Sequence, residues 1–164
     1  MGKQVKAIPE GFHSVTPYLA LQDAAPAIEF YKKAFGATEI TRMNGPDGKV
    51  AHAEIKIGDS IILLGPAPPE SGVRAPQSLN GSSVSILLYV PDADATFKQA
   101  VSAGAKSVQA VENQLWGDRY GRIADPFGHS WSLATHVEDV APDEMRRRMQ
   151  EATAKMAQRA HAGT

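Results

Sequence analysis

The chain has 164 residues, 43% of them hydrophobic, with 17 basic and 18 acidic side chains and no cysteine. That length suffices for one domain with a sizeable core and argues against two independent ones. A formal charge of −1 offers no attraction to nucleic acid, and the lack of cysteine excludes disulfides, thiolate catalysis and Cys-ligated metal. The first residues lack an apolar stretch, and nowhere do about 18 apolar residues run together, so the expectation is a cytoplasmic protein without membrane or nucleic-acid partners.

In chain order, Val15 to Leu21 has the composition of a strand, with Pro17 marking an edge or a bulge because it cannot donate to a ladder. A helix follows: Asp23 is its N-cap, Ala27, Ile28, Tyr31, Ala34 and Phe35 recur at helical spacing, and Gly36 stops it. Three strands come next, Thr38 to Met43, Val50 to Ile57 and Ser60 to Leu64, separated by an Asn44 to Gly48 turn and a tight Gly58-Asp59 turn. The first half thus reads βαβββ. Residues 66–82 are rich in proline, glycine and serine, the composition of a linker.

The pattern then repeats. Val84 to Val90 is a strand, Asp92 caps a helix ending at Gly104, and strands follow near Ser107 to Glu112, Tyr120 to Ala124 and Ser130 to Thr135, the last after an Asp125-Pro126-Phe127-Gly128 turn. Placing Asp23 on Asp92, Gly36 on Gly104 and Gly58 on Gly128 keeps the offset at 68 to 70 residues. The expectation is an α+β fold of two βαβββ modules with curled mixed sheets, module one at 12–65 and module two at 83–137 within a single domain 10–138. Residues 139–164 form a helical tail with an apolar stripe of Met145, Met149 and Met156, expected to dock on the body or on a second subunit.

The string Asp23 to Ala37, the paired βαβββ repeat and the string Trp116 to Trp131 resemble the glyoxalase/bleomycin resistance/dioxygenase superfamily, the vicinal oxygen chelate proteins, and within it the PhnB-like branch. The resemblance implies two facing cups and four metal-ligand places on the first and last strand of each module. Counting from the helix-opening aspartates gives Thr16 and Ser85, and counting from the hairpin glycines gives Ile62 and Ser132. A divalent ion needs at least three imidazole or carboxylate donors at about 2.0 to 2.6 Å, which these residues do not supply. Metal-dependent family chemistry is therefore not expected, and no cofactor is assigned.

Strand alternation puts Tyr18, Leu64, Leu87, Tyr89 and Ala134 on the same face as those places. With Trp116 and Arg119, whose indole and guanidinium suit a planar or anionic group, they define a lining for a small, partly apolar organic ligand. The alternative for Trp116, Asp118 and Arg119 is a purely structural turn. The primary expectation is metal-independent binding, such as antibiotic or metabolite sequestration, by a homodimer or an internally paired cup. The alternative is a metal-dependent lyase, isomerase or dioxygenase with displaced ligands drawn from His13, His52, Glu54 and His129. His52 and Glu54 share one strand face with Lys56. A two-residue hairpin loop would pair Ile55 with Ile62 and turn them away from the cup.

Overall fold

The computed structural model describes residues 5–162, and side chains of 5–158. Module one contains β1 (Tyr18–Ala20), α1 (Ala24–Phe35), β2 (Thr38–Asn44), β3 (Val50–Ile57) and β4 (Ser60–Gly65). Module two contains β5 (Ser85–Tyr89), α3 (Ala93–Ser102), β6 (Lys106–Asn113), β7 (Asp118–Ala124) and β8 (Ser130–His136). Between them the connecting segment forms a 3-10 turn (Pro69–Ser71) and a single helical turn, α2 (Pro76–Leu79).

The predicted caps are formed. The Asp23 carboxylate accepts from Ala25 N at 3.0 Å, and that of Asp92 accepts from Ala95 N at 2.9 Å. Gly36 closes α1 with φ +66°, a left-handed conformation that a side chain would strain. β1 is shorter than expected, because Pro17 lacks the N–H that a longer ladder requires, although its carbonyl still accepts from Leu63 N.

Each module makes a four-stranded mixed sheet, ordered β1-β4-β3-β2 and β5-β8-β7-β6. The β1–β4 and β5–β8 pairs are parallel and the remaining pairs antiparallel. One face of each sheet packs on helices to form a single shared core. Ile28 and Tyr31 of α1 join Leu19, Ile55, Ile62 and Leu64 of one sheet with Ile123, Trp131 and Leu133 of the other. The two modules thus share one buried cluster. The opposite face of each sheet, free of helix, is the cup face.

The tail forms α4 (Pro142–Ala162). Arg148 ties its start to the body through Glu138 at 2.6 Å and the Leu115 carbonyl at 3.2 Å. Met149 and Met156 beyond it are exposed.

Candidate functional site

In module two the cup face is a grid. Across β5, β8 and β7 the registered rows are Ser85–Ser130–Ala124, Leu87–Ser132–Arg122 and Tyr89–Ala134–Tyr120. Hydroxyls run through it: Ser85 Oγ lies 3.3 Å from Ser132 Oγ, which lies 2.7 Å from Tyr120 Oη. Beyond the last row sits Asp118, almost fully buried. Its Oδ2 accepts from the Tyr89 hydroxyl at 2.9 Å and from Trp116 Nε1 at 3.0 Å, and its Oδ1 bonds His136 Nδ1 at 2.8 Å. Burial alone would raise the Asp118 carboxyl, but these three hydrogen bonds outweigh it and hold the pKa below the ordinary value. One buried carboxylate thus fixes two aromatic rings, and Trp116 packs edge-on against Tyr120 with centroids 5.6 Å apart.

In module one Tyr18 opposes Leu63, and Leu63 opposes Glu54, so these three form the corresponding row. The Tyr18 ring lies 6.4 Å from that of His52, whose Nε2 is 3.6 Å from Glu54 Oε1. Gly65 makes this packing possible, because a Cβ there would come within 2.6 Å of the Tyr18 hydroxyl. That hydroxyl donates to the Pro66 carbonyl at 3.1 Å.

Where edge strand β1 meets edge strand β5, a cavity of about 480 Å³ opens, walled on another side by residues 73–84. Apolar groups such as Pro17, Leu79, Val84 and Ile86 line it together with Tyr18 and Ser85. This volume lies within the range of small-molecule sites, roughly 300 to 1,000 Å³.

Several sequence expectations are corrected here. Ile62 and Leu64 do not line the cup: they are 4% and 0% exposed in the core with α1. Ile55 does pair with Ile62, but both face the helix, so His52 and Glu54 point to the cup face and not away from it. The slip has a physical origin. The β3–β4 loop has two residues between paired Ile57 and Ser60, whereas the β7–β8 loop has five between paired Ala124 and Ser130. Gly58 and Gly128 are therefore not equivalent, and alignment on them displaced β4 by one residue, which swaps faces. Matching core residues Ile62 and Leu64 with Trp131 and Leu133 puts Leu63, not Ile62, in the place corresponding to Ser132.

Arg119 also faces the helix side. Its guanidinium grips Asp94 of α3 through Nε and, at 2.7 Å, through Nη2. Arg122 and Tyr120 occupy the cup face instead, and the period-two alternation from Asp118 was the available signal for them. The cavity wall at 73–84 carried no such signal, because its composition reads as a spacer.

Thr16 precedes β1, and its hydroxyl donates to the His13 carbonyl at 3.2 Å. Tyr18, Ser85, Leu87, Tyr89 and Ser132 lie on cup faces, and Trp116 adjoins that of module two. The candidates for displaced chelation are separated: His13 lies 3.7 Å from Asp59, and His129 reaches across the seam to the Ala20 carbonyl at 3.1 Å. Only His52 and Glu54 stay together, and no three His, Cys, Asp or Glu residues cluster as a metal site among the described residues. The four inherited places hold Thr16, Leu63, Ser85 and Ser132, a donor set that does not fit a divalent cation.

The fold and the paired modules define a class, and comparison with known proteins identifies it. Residues 11–133 match the model of the Glyoxalase/Bleomycin resistance protein/Dioxygenase superfamily, and the chain belongs to that family. An uncharacterized protein of Mycobacterium tuberculosis is 49% identical over 139 residues, covering 83% of this chain and 82% of the relative. The crystal structure of an Arabidopsis thaliana gene product is 31% identical with a TM-score of 0.61, covering 75% of this chain and 98% of that one. TnmS3 from a Streptomyces species, described as an antibiotic binding protein, shares the fold at 21% identity and a TM-score of 0.58, over 80% of this chain and 99% of its own. Among the described residues no helix is long and apolar enough to cross a membrane.

Proposed function

We propose that this protein binds a small, partly apolar organic molecule without a catalytic metal, in the seam cavity and on the cup faces beside it. The observation that carries this is the roughly 480 Å³ cavity between β1 and β5, apolar for the most part, which the Ser85–Ser132–Tyr120 hydroxyl chain connects to module two's cup face. Such a lining suits an apolar body with a few hydrogen-bonding groups. Sequestration of an antibiotic or metabolite is the role in view, and TnmS3 is a precedent for antibiotic binding on this fold. Within the superfamily we place the chain in the PhnB-like branch, on the strings Asp23 to Ala37 and Trp116 to Trp131.

A thermal-shift screen of aromatic metabolites and antibiotics tests the reading, with Ser85→Phe as the variant that fills the cavity from its exposed edge. The expected result is at least one compound that stabilises the parent protein and leaves Ser85→Phe unmoved. If every stabilising compound acts equally on the variant, the cavity is not the site.

The second reading, metal-dependent chemistry with displaced ligands, is favoured only by the His52–Glu54 pair on module one's cup face. Calorimetric titration with nickel, zinc, iron and manganese tests it, and stoichiometric tight binding would support it. We further infer a homodimer, because Leu87 and Tyr89 stand about half exposed on a sheet face. Light scattering with and without residues 140–164 tests that and any part α4 plays.

A further inference from the structure

We propose that the ligand is a planar aromatic anion, a carboxylate or sulfonate, and that Arg122 receives its charged group. This rests on the binding reading above and assigns the chemical class. Arg122 sits in the middle of module two's grid, directly opposite Ser132 and flanked on β6 by the neutral Gln109. Among the described residues its side chain makes no hydrogen bond and no ion pair. Arg42, Arg119 and Arg148 are engaged, with Glu39, Asp94 and Glu138 respectively, whereas Arg74, at the seam cavity, shares with Arg122 the lack of a side-chain partner among the described residues. A guanidinium offers a planar fork of donors matched to a carboxylate, and Arg122 holds that fork, unengaged, on a rigid strand.

The aromatic half of the assignment comes from its neighbours. Trp116 and Tyr89, 40% and 56% exposed, are held by the same Asp118 oxygen, so their rings are oriented before any ligand arrives. The Asp118 carboxylate is itself buried, and its oxygens are directed at three hydrogen-bonding partners. Glu112, opposite Tyr120, is the nearest registered acid, and Gln109 and Gln114 approach it at 3.5 Å. In module one the place matching Arg122 holds Glu54, so the two cup faces carry opposite charges at equivalent positions. An anionic ligand is thereby oriented, with its charged end toward module two.

The experiment uses two near-isosteric probes, 2-naphthoate and 2-naphthamide, titrated calorimetrically into the full chain. The expected result is about tenfold or greater preference for the naphthoate, shrinking in about 1 M salt as a charge-assisted contact should. Arg122→Gln lowers naphthoate affinity to that of the amide, Arg122→Lys retains part of the preference, and Arg119→Gln retains all of it. Equal affinities in the parent protein overturn the charge assignment, as does a preference that survives Arg122→Gln. A preference lost instead in Arg74→Gln also overturns it, because Arg74 is the unpaired arginine that lines the seam cavity. If neither probe binds, the binding reading of this face falls, and the inference with it.

Discussion

The Tyr31 hydroxyl donates to Asp125 Oδ2 at 2.7 Å, joining the helix of module one to the last hairpin of module two across 94 positions of sequence. The same oxygen accepts from Trp131 Nε1 at 3.0 Å, while Oδ1 takes the backbone N–H groups of Phe127 and His129, both at 2.9 Å. One buried carboxylate thus closes the hairpin and locks it to α1, with the Tyr31 and Trp131 rings 5.4 Å apart. Tyr31→Phe keeps the ring and removes one of four donors. The expected cost is about 1–2 kcal/mol, lowering the melting temperature by roughly 2–4 °C per kcal/mol.

The same tyrosine predicts alkaline sensitivity. Burial first, and then the neighbouring Asp125 charge, push the Tyr31 phenol well above its ordinary value of 10.0. A phenol raised in the folded state contributes stability that is complete below the unfolded value and is lost as pH rises beyond it. Unfolding midpoints taken from about pH 8 to about pH 11 should fall more steeply in the parent protein than in Tyr31→Phe.

Leu64 and Leu87 separate the two sheet faces by experiment. Leu64 is fully buried against α1, so Leu64→Ala should cost about 2–5 kcal/mol. Leu87 is 48% exposed on the cup face, so Leu87→Ala should leave stability within about 0.5 kcal/mol and weaken 2-naphthoate binding instead. Urea denaturation measures the first effect and calorimetry the second. Reversal of the two would place the cup on the wrong face.

His136 gives a near-neutral pH dependence. Its hydrogen bond to Asp139, then that to Asp118, raise its pKa above the ordinary 6.5. Its stabilising contribution is therefore complete below that value and is lost as pH rises through the raised one. Asp118, held low, adds stability that disappears only as pH falls below its ordinary 3.8. Thermal scans across neutrality should show the melting temperature falling with rising pH, and His136→Gln should flatten that slope.

Much of the fold was legible because local chemistry states it. Asp23, Gly36 and Asp92 mark helix ends whatever the tertiary context, and period-two alternation on β5 placed Ser85, Leu87 and Tyr89 on the correct face. The site was less legible where facing depended on loop length. Gly58 and Gly128 look alike in sequence, yet one sits in a two-residue loop and the other in a five-residue loop, and that difference moved Ile62 and Leu64 into the core. Arg119 and Arg122 differ in phase along β7: alternation groups Arg122 and Tyr120 with Asp118, and pairing with β8 fixes which face that group occupies. The cavity wall came from residues 73–84, where a proline- and glycine-rich composition gives no indication of what it packs against.

In the proposed binding mode an organic ligand is held by side chains of this chain and not through a metal. The most direct test of this mode is calorimetric titration of 2-naphthoate into protein stripped with a chelator, and again after reloading with nickel, zinc, iron or manganese. The account predicts the same affinity in every sample, reduced by Ser85→Phe. Binding seen only after a divalent ion is restored would contradict it.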